Sequence, residues 1–335
     1  MKKTEILVLG SIAFDYIMGF KEKFVNAVSI NHEKEEYQST ITADSRTQQF
    51  GGTAGNIAYN MGLLNIGNVS LIGSVGKDFE SLGYSDHTQQ FENIKLKVDV
   101  HDNLFTAACY IVNDIKSNQM IIFHGGALDK SKEIDLKNKI NNPEDYAIAI
   151  NSTQSVEAMA HFADQLSDLK IPFIFDPGQV TPLFQKELLI NIIKKSEILI
   201  GNSYEISQIK KKTDLEEKKI IEYVKAIIIT KGSEGSELIY KNNENEILRE
   251  NIPIATLENK AEVVDTTGAG DGYRAGLLTG LTLDMTLLDS CRLGSIIGSF
   301  VVETAGAQTQ KFNLERVKKR FFNTYGNIPP EIEKI

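Results

Sequence analysis

The stretch DTTGAGDGYRAG, from Asp265 to Gly276, carries three glycines and two aspartates in its first eight residues, ahead of a run that reads as a helix. Gly268 and Gly270 let the backbone approach a ligand closely, with amides turned toward it. A helix starting near Asp271 adds unpaired N–H groups and the positive end of its dipole. That combination stabilises phosphate, and above all the charge in flight during phosphoryl transfer. Gly268, Ala269 and Gly270 are therefore a candidate anion hole. A carboxylate repels an anion, so Asp271 makes sense there as a base taking the proton of an attacking hydroxyl. The plainer alternative is a helix N-cap after a glycine turn. No GxxxxGK followed by Ser or Thr occurs, so this is not a Walker P-loop. Tyr273 stands where the dinucleotide fingerprint needs its last glycine.

Elements must position these residues. Short runs rich in Ile and Val at 5–10, 69–76, 146–152, 172–176, 197–202 and 226–230 read as buried strands. Their lack of polar alternation predicts a sheet covered on both faces. Residues 155–169 and 183–195 read as helices between them. This order argues for a doubly wound, mostly parallel sheet with ligands outside the carboxyl ends of its strands. Residues 21–49 are polar and irregular, and 103–124 read as two strands joined by a turn around Asp114–Asn118. Together they predict a small β-rich flap. The C-terminal third reads as mostly helical.

The 335 residues suit one large α/β unit with an appendage. The net charge of −9, with no dense Lys/Arg run, weighs against nucleic acid as a partner. Two cysteines, Cys109 and Cys291, are no disulfide framework and fit a reducing cytoplasm. Glu5 and Asp15 interrupt the apolar start, which reads as a strand and not a signal peptide. No apolar stretch approaches the ~18 residues of a membrane span.

The glycine-rich stretch, extended to DTTGAGDGYRAGLLTG, resembles the C-terminal signature of the ribokinase-like (PfkB-type) carbohydrate and nucleoside kinases. FGGTAGNIAYNMGLL (50–64) is similar to the N-terminal counterpart, GNSYE (201–205) to the N-x-x-E motif, and TKGSEG (230–235) to the nucleotide-side loop. The four occur in family order across nearly the whole chain. The resemblance implies a ribokinase-like doubly wound sheet with helices on both faces and a β lid. Residues 1–14, 51–102 and 125–335 would form the large nucleotide-binding domain, and 15–50 and 103–124 the lid over the acceptor.

It also implies roles. Asp271 would be the catalytic base beside Gly268, Ala269 and Gly270. Asp15, at the end of the first strand, would hold sugar hydroxyls, as a carboxylate accepting two of them can. Gly51, Gly52 and Asn56 would approach the sugar. Asn202, Thr230, Gly232 and Thr267, with Gly268 and Gly270, would flank the nucleotide. Glu205, with Asn202, would order Mg²⁺ through its waters. Asp265 and Thr267 would help hold a monovalent cation such as K⁺. VETAGAQ (302–308) would close over the adenine. The plainer alternatives stay open: a turn for Asp15, a helix-opening glycine pair with an exposed Asn56, and a helix cap for Asn202.

NQMIIFHGGAL (118–128) and IPFIFDPGQVTPLF (171–184) resemble the bacterial and archaeal adenosine-kinase-like branch, which phosphorylates the 5′-hydroxyl of purine nucleosides. Gly126 departs from it, standing where a proline is expected. Phe105 and Phe123 would cover the base, or else form the apolar face of a hairpin. The lid has no basic cluster to grip a phosphorylated substrate. The expectation is an ATP- and Mg²⁺-dependent adenosine kinase, cytoplasmic, monomer or homodimer, with small-molecule partners and neither nucleic acid nor membrane. The alternatives are a ribokinase or other sugar kinase, and a non-catalytic nucleoside binder. An intact Asp271 beside an anion hole argues against the binder.

Overall fold

The computed structural model describes residues 4–31, 36–116, 118–242, 244–257 and 262–335. Parts of the expected lid (32–35 and Ser117 in its turn) and residues 1–3 of the expected large domain lie outside the described residues.

Nine strands form one sheet. Across it run Ile247–Ile252, Ser236–Lys241, Ala226–Thr230, Ile198–Asn202, Phe173–Phe175, Tyr146–Asn151, Glu5–Leu9, Asn68–Ile72 and Ile94–Leu96. The seven from Ala226–Thr230 to Ile94–Leu96 pair in parallel, and the last two hairpins are antiparallel. The interior strand Glu5–Leu9 shows why its sequence is apolar from Ile6 onward. Leu7 and Leu9 pack with Phe162, Leu166 and Ile192 of helices Val156–Asp168 and Lys186–Lys195 on one face. Ile6 and Val8 pack with Ile57, Met61 and Leu277 of helices Thr53–Leu64 and Ala269–Thr282 on the other. All four strand residues are wholly buried, which at about 25 cal/mol per Å² of apolar surface makes this the main source of stability.

Three expectations need correcting. The run at 69–76 is two strands: Asn68–Ile72 stays in the large sheet, and Ser74–Gly76 pairs with Asp99–His101. The second helix begins at Lys186, because a 3₁₀ stretch, Gly178–Leu183, precedes it and Pro182 has no amide to continue a helix. The first strand ends at Leu9, so Asp15 is not at its end. Asp15 lies in a separate strand, Ala13–Gly19, of a four-stranded sheet. That sheet runs Gln119–His124, Ala107–Asn113, Ala13–Gly19, Ser45–Gly51. The polar 21–49 stretch thus contributes a real strand, whose backbone pairs antiparallel with Ala13–Gly19.

Glycine also has a packing use here. Gly272, Gly276 and Gly280 lie on one face of the Ala269–Thr282 helix, four residues apart. A Cβ at Gly276 would stand 2.6 Å from the Leu293 carbonyl oxygen, and one at Gly280 2.7 Å from Ser290 Cα, both in helix Leu287–Val301. Only glycine lets the two helices come this close.

Candidate active site

Four parallel strands end at one cavity of about 550 Å³. Thr153, Asp176, Asn202 and Thr230 stand at or just past their carboxyl ends and line it, as the doubly wound topology requires. Its opposite wall is the start of the Ala269–Thr282 helix: Gly268, Ala269, Gly270, Asp271 and Arg274. Glu205 and Gly232 line it too.

The helix starts two residues before Asp271. Gly268 is its N-cap, at φ +79° and with no side-chain cap, so Asp271 is the third helical residue and not the cap. A Cβ at Gly268 would also stand 2.6 Å from that of Ala307. The Ala269 amide bonds the Thr266 carbonyl at 3.2 Å. Helix geometry gives the Gly270 and Asp271 amides no acceptor within the helix, and both residues line the cavity. The Thr53–Leu64 helix opens on a similar left-handed glycine, Gly52 at φ +84°. Its first amides are already used: Thr53 N bonds Ser11 Oγ at 3.0 Å, and Ala54 N bonds the Ser11 carbonyl at 3.0 Å. In the later of these two glycine turns the Ala269 amide, part of the expected anion hole, is taken by Thr266, and only the Gly270 and Asp271 amides are left without a helical acceptor at the cavity wall.

Asp271 receives a hydrogen bond from Asn56 Nδ2 at 2.7 Å. Burial pushes its carboxyl up to about 7. Arg274 and Asn56 pull it back, while Asp176 and Asp15 add to the rise. Asp15 faces Gly51, where a Cβ would stand 2.3 Å from its carboxylate, so glycine makes room for it. Burial raises Asp15 to about 6. Two desolvated carboxylates therefore converge, Asp15 from the small sheet and Asp271 from the large unit. Desolvated carboxylates brought together in this way are a recurrent mark of functional sites.

Asn202 is the helix cap that the sequence left open. Its Oδ1 accepts from the Glu205 amide at 2.9 Å, and Glu205 Oε2 accepts from the Asn202 amide at 2.7 Å. Glu205 is raised chiefly by burial, against that amide bond. Thr267 is not in the cavity lining; Thr266 is. The Thr267 and Gly306 amides instead bond the two oxygens of Asp265, each at 2.9 Å. Burial raises the Asp265 carboxyl, but these bonds outweigh it and hold it below the usual range.

The two phenylalanines part company. Phe123 lies in strand Gln119–His124 and lines a second cavity, of about 680 Å³, with Leu128, Gln154 and Leu183. This cavity meets the first at Thr53, Thr153 and Gln179. Phe105 lines neither; it is half exposed under Lys77 Nζ, 4.3 Å from its ring centre. Of VETAGAQ, only Val302 reaches the first cavity.

Sequence reasoning missed Arg274 and Asp176. Arg274 Nε and Nη2 donate to the two Asp176 oxygens at 2.5 and 2.7 Å, and Nη1 to the Gly270 carbonyl at 3.0 Å. Both side chains are almost fully buried. Burial alone would depress the guanidinium pKa; Asp176 outweighs it. The available signal was a lone arginine among small residues in GYRAGLLTG, and an aspartate ending FIFD.

A doubly wound sheet with a glycine-opened helix start and a half-buried carboxylate facing its strand ends is the arrangement of a ribokinase-like phosphotransferase acting on a hydroxyl group. The chain belongs to the pfkB family of carbohydrate kinases, whose model matches residues 3–313. It is 31% identical over 319 residues to a nucleoside kinase of Methanocaldococcus jannaschii, covering 95% of this chain and 97% of that one. The nucleoside kinase of Burkholderia thailandensis, solved in complex with inosine, superposes with a TM-score of 0.82 at 30% identity, covering 97% of this chain and 100% of that one. Its complex with ADP-inosine gives 0.79 at 30% identity, covering 97% of each. Among the described residues no helix is long and apolar enough to cross a membrane.

Proposed function

We propose that this chain transfers the terminal phosphoryl group of ATP to the 5′-hydroxyl of a purine nucleoside, most readily adenosine, giving AMP. The observation that carries the reading is Asp271, a half-buried carboxylate at the cavity wall raised to about 7 by desolvation, set in the same helical turn as amides that helix geometry leaves without partners. The nucleoside kinases among its relatives support the acceptor class.

In this reading the nucleotide occupies the 550 Å³ cavity between Thr230, Gly232 and the helix start. The Gly270 and Asp271 amides meet the charge that grows on the transferring group. Asp271 takes the hydroxyl proton as the oxygen attacks. Asp15 accepts hydrogen bonds from sugar hydroxyls, and the second cavity, with Phe123, Leu128 and Leu183, receives the base. The four-stranded sheet acts as the lid, bringing Asp15 with it.

Among the described residues no three His, Cys, Asp or Glu side chains cluster to hold a metal. Of the carboxylates lining the cavity, Asp176 is paired with Arg274 and Asp271 with Asn56; Glu205 suits an ion that keeps its waters and is carried by phosphates, as Mg²⁺ is. Such an ion supplies charge neutralisation on the phosphates; Glu205 and Asn202 would hold its water shell. Asp265, with its oxygens on two amides, and the carbonyls around it are the place for a monovalent cation in the same reading.

The deciding experiment is a phosphorylation screen with ATP and Mg²⁺ over adenosine, inosine, guanosine, cytidine and ribose. Adenosine is expected to give the highest kcat/KM, with ribose at least about 10²-fold lower because it forgoes the base contacts. Ribose turned over better than every nucleoside would assign a sugar kinase instead.

Asp15→Ala tests the sugar grip. Losing charge-assisted hydrogen bonds of about 1.5–3 kcal/mol each should weaken adenosine binding at least ~10-fold by calorimetry, with ATP affinity nearly unchanged. Equal adenosine affinity in the variant removes Asp15 from the site.

A further inference from the structure

The hydrogen bond from Asn56 to Asp271 depends on which way an amide points. A side-chain amide offers a donor on one side and an acceptor on the other, and a half-turn exchanges them. Only the NH₂ group stabilises a carboxylate. The far side of Asn56 settles the matter: its Oδ1 accepts from Gln308 Nε2 at 2.9 Å.

Gln308 is held in turn on both of its ends. Its Nε2 also donates to the Tyr84 hydroxyl oxygen at 3.0 Å. That hydroxyl spends its own hydrogen on the Gly51 carbonyl at 2.7 Å, so toward Gln308 it accepts. Gln308 Oε1 meets His87 Nε2 at 3.0 Å, which makes that ring nitrogen the donor. The His87 ring is stacked between Phe50 and Tyr59, with centroids 4.2 and 5.1 Å away. Asn56, Tyr84 and Gln308 are all more than nine-tenths buried. Gly55 leaves the space for this: a Cβ there would stand 1.9 Å from the Tyr84 hydroxyl and 3.2 Å from Gln308 Nε2. The donor directions therefore run one way, from His87 and Gln308 through Asn56 to Asp271.

We propose that Gln308 is a positioning residue for Asp271, fixing the Asn56 amide in the one orientation that presents its NH₂ group to the carboxylate. Gln308 belongs to the VETAGAQ segment, which the family resemblance placed over the adenine; here its side chain reaches the acceptor side instead. The proposal rests on Asp271 being the base. The charged groups around Asp271 are Arg274 of its own helix, Asp176 at the end of a large-sheet strand, and Asp15 of the small sheet. Near His87 the charged neighbour is Lys311.

Gln308→Glu keeps the shape and removes the donor. The new carboxylate draws the Asn56 NH₂ group to itself and turns the Asn56 carbonyl toward Asp271. The expected result is an Asp271 pKa about one unit higher, since a hydrogen bond to a charged group is lost. Carboxyl ¹³C titration reads this without turnover, with Asp271→Asn identifying the signal. The rising limb of the kcat–pH profile should move by the same amount, kcat should recover at high pH, and both KM values should stay within about twofold. A bare negative charge also raises a neighbouring carboxyl, so the same substitution is made in an Asn56→Ala background. There the shift should fall to less than half. An equal shift in both backgrounds, or a loss of kcat that is the same at every pH, overturns the proposal.

If Gln308→Glu does not fold, His87→Phe replaces it. It adds no charge, keeps a stacked ring and removes one bond that fixes Gln308. It should move Asp271 in the same direction by a smaller amount, and an unmoved titration overturns the proposal. A wild-type protein that phosphorylates no hydroxyl would sink the assignment of Asp271 as base and leave the titration result standing.

Discussion

Asp271→Asn is expected to lower kcat by about 10²–10⁴-fold while adenosine and ATP still bind. That is roughly 3–5 kcal/mol of barrier. The amide has nearly the carboxylate's shape, and the helix keeps its opening because Gly268 caps it and not Asp271. What disappears is the capacity to take the hydroxyl proton. The pH dependence follows from the same group. The base must be ionised, and burial has raised it to about 7. Wild-type kcat should therefore climb as pH rises through about 7 and level off above it. The variant's residual rate should lack that limb. Steady-state kinetics from pH 5.5 to 9, with calorimetry for binding, checks both. Near-wild-type turnover in the variant would mean that proton removal is not Asp271's task.

The second large effect belongs to the buried pair of Arg274 and Asp176. Asp176→Leu should cost about 3–5 kcal/mol of stability, because it strands a guanidinium in a site almost closed to water. In urea unfolding this appears as a midpoint lower by roughly 1 M. Joining it with Arg274→Met should restore most of the loss, since a well-packed apolar pair replaces a buried ion pair at little cost. The double variant should still be a poor enzyme, because Arg274 also holds the Gly270 carbonyl at 3.0 Å beside the anion hole. A single variant as stable as the parent would show that water reaches the pair.

Much of the large unit was legible in the sequence, and the reasons are specific. A strand such as EILVL, buried on both faces beyond Glu5, has to be apolar from Ile6 to Leu9. The residues that follow such strands inherit a place at the ligand face, which is why Asn202 and Thr230 could be assigned from motifs alone. The small sheet was harder. In LGSIAFDYIMG the first strand runs into the second with only Gly10, Ser11 and Ile12 between them, so apolar content hides the boundary and misplaces Asp15. Its partner, SRTQQFG, is polar and mostly exposed; it is a strand because its backbone pairs with Ala13–Gly19, which composition does not reveal. The antiparallel hairpin Ser236–Lys241 and Ile247–Ile252 was not foreseen either, although a run of polar residues separates its two apolar stretches in the sequence. Tyr84 and His87 gave no signal, and Gln308 only the one that put VETAGAQ over the adenine, since a network of single polar residues far apart in sequence has no period and no motif of its own.

The position of Glu5–Leu9 inside the sheet, between Asn68–Ile72 and Tyr146–Asn151, bears on how the chain is made. As the polypeptide leaves the ribosome, this strand can pair at once with Asn68–Ile72, but its other edge stays bare until Tyr146–Asn151 emerges. For that interval an apolar edge is open to any strand that meets it. After Tyr146–Asn151, five further strands join the same side of the sheet in strict order of synthesis, so no later gap has to be filled from behind. The Asn56–Asp271 bond spans 215 residues and waits for a helix that appears near the end of translation. If Asp15 grips the sugar and Asp271 is the base, as proposed, newborn chains carry the first long before the second, and an unfinished one has no means of wasting ATP.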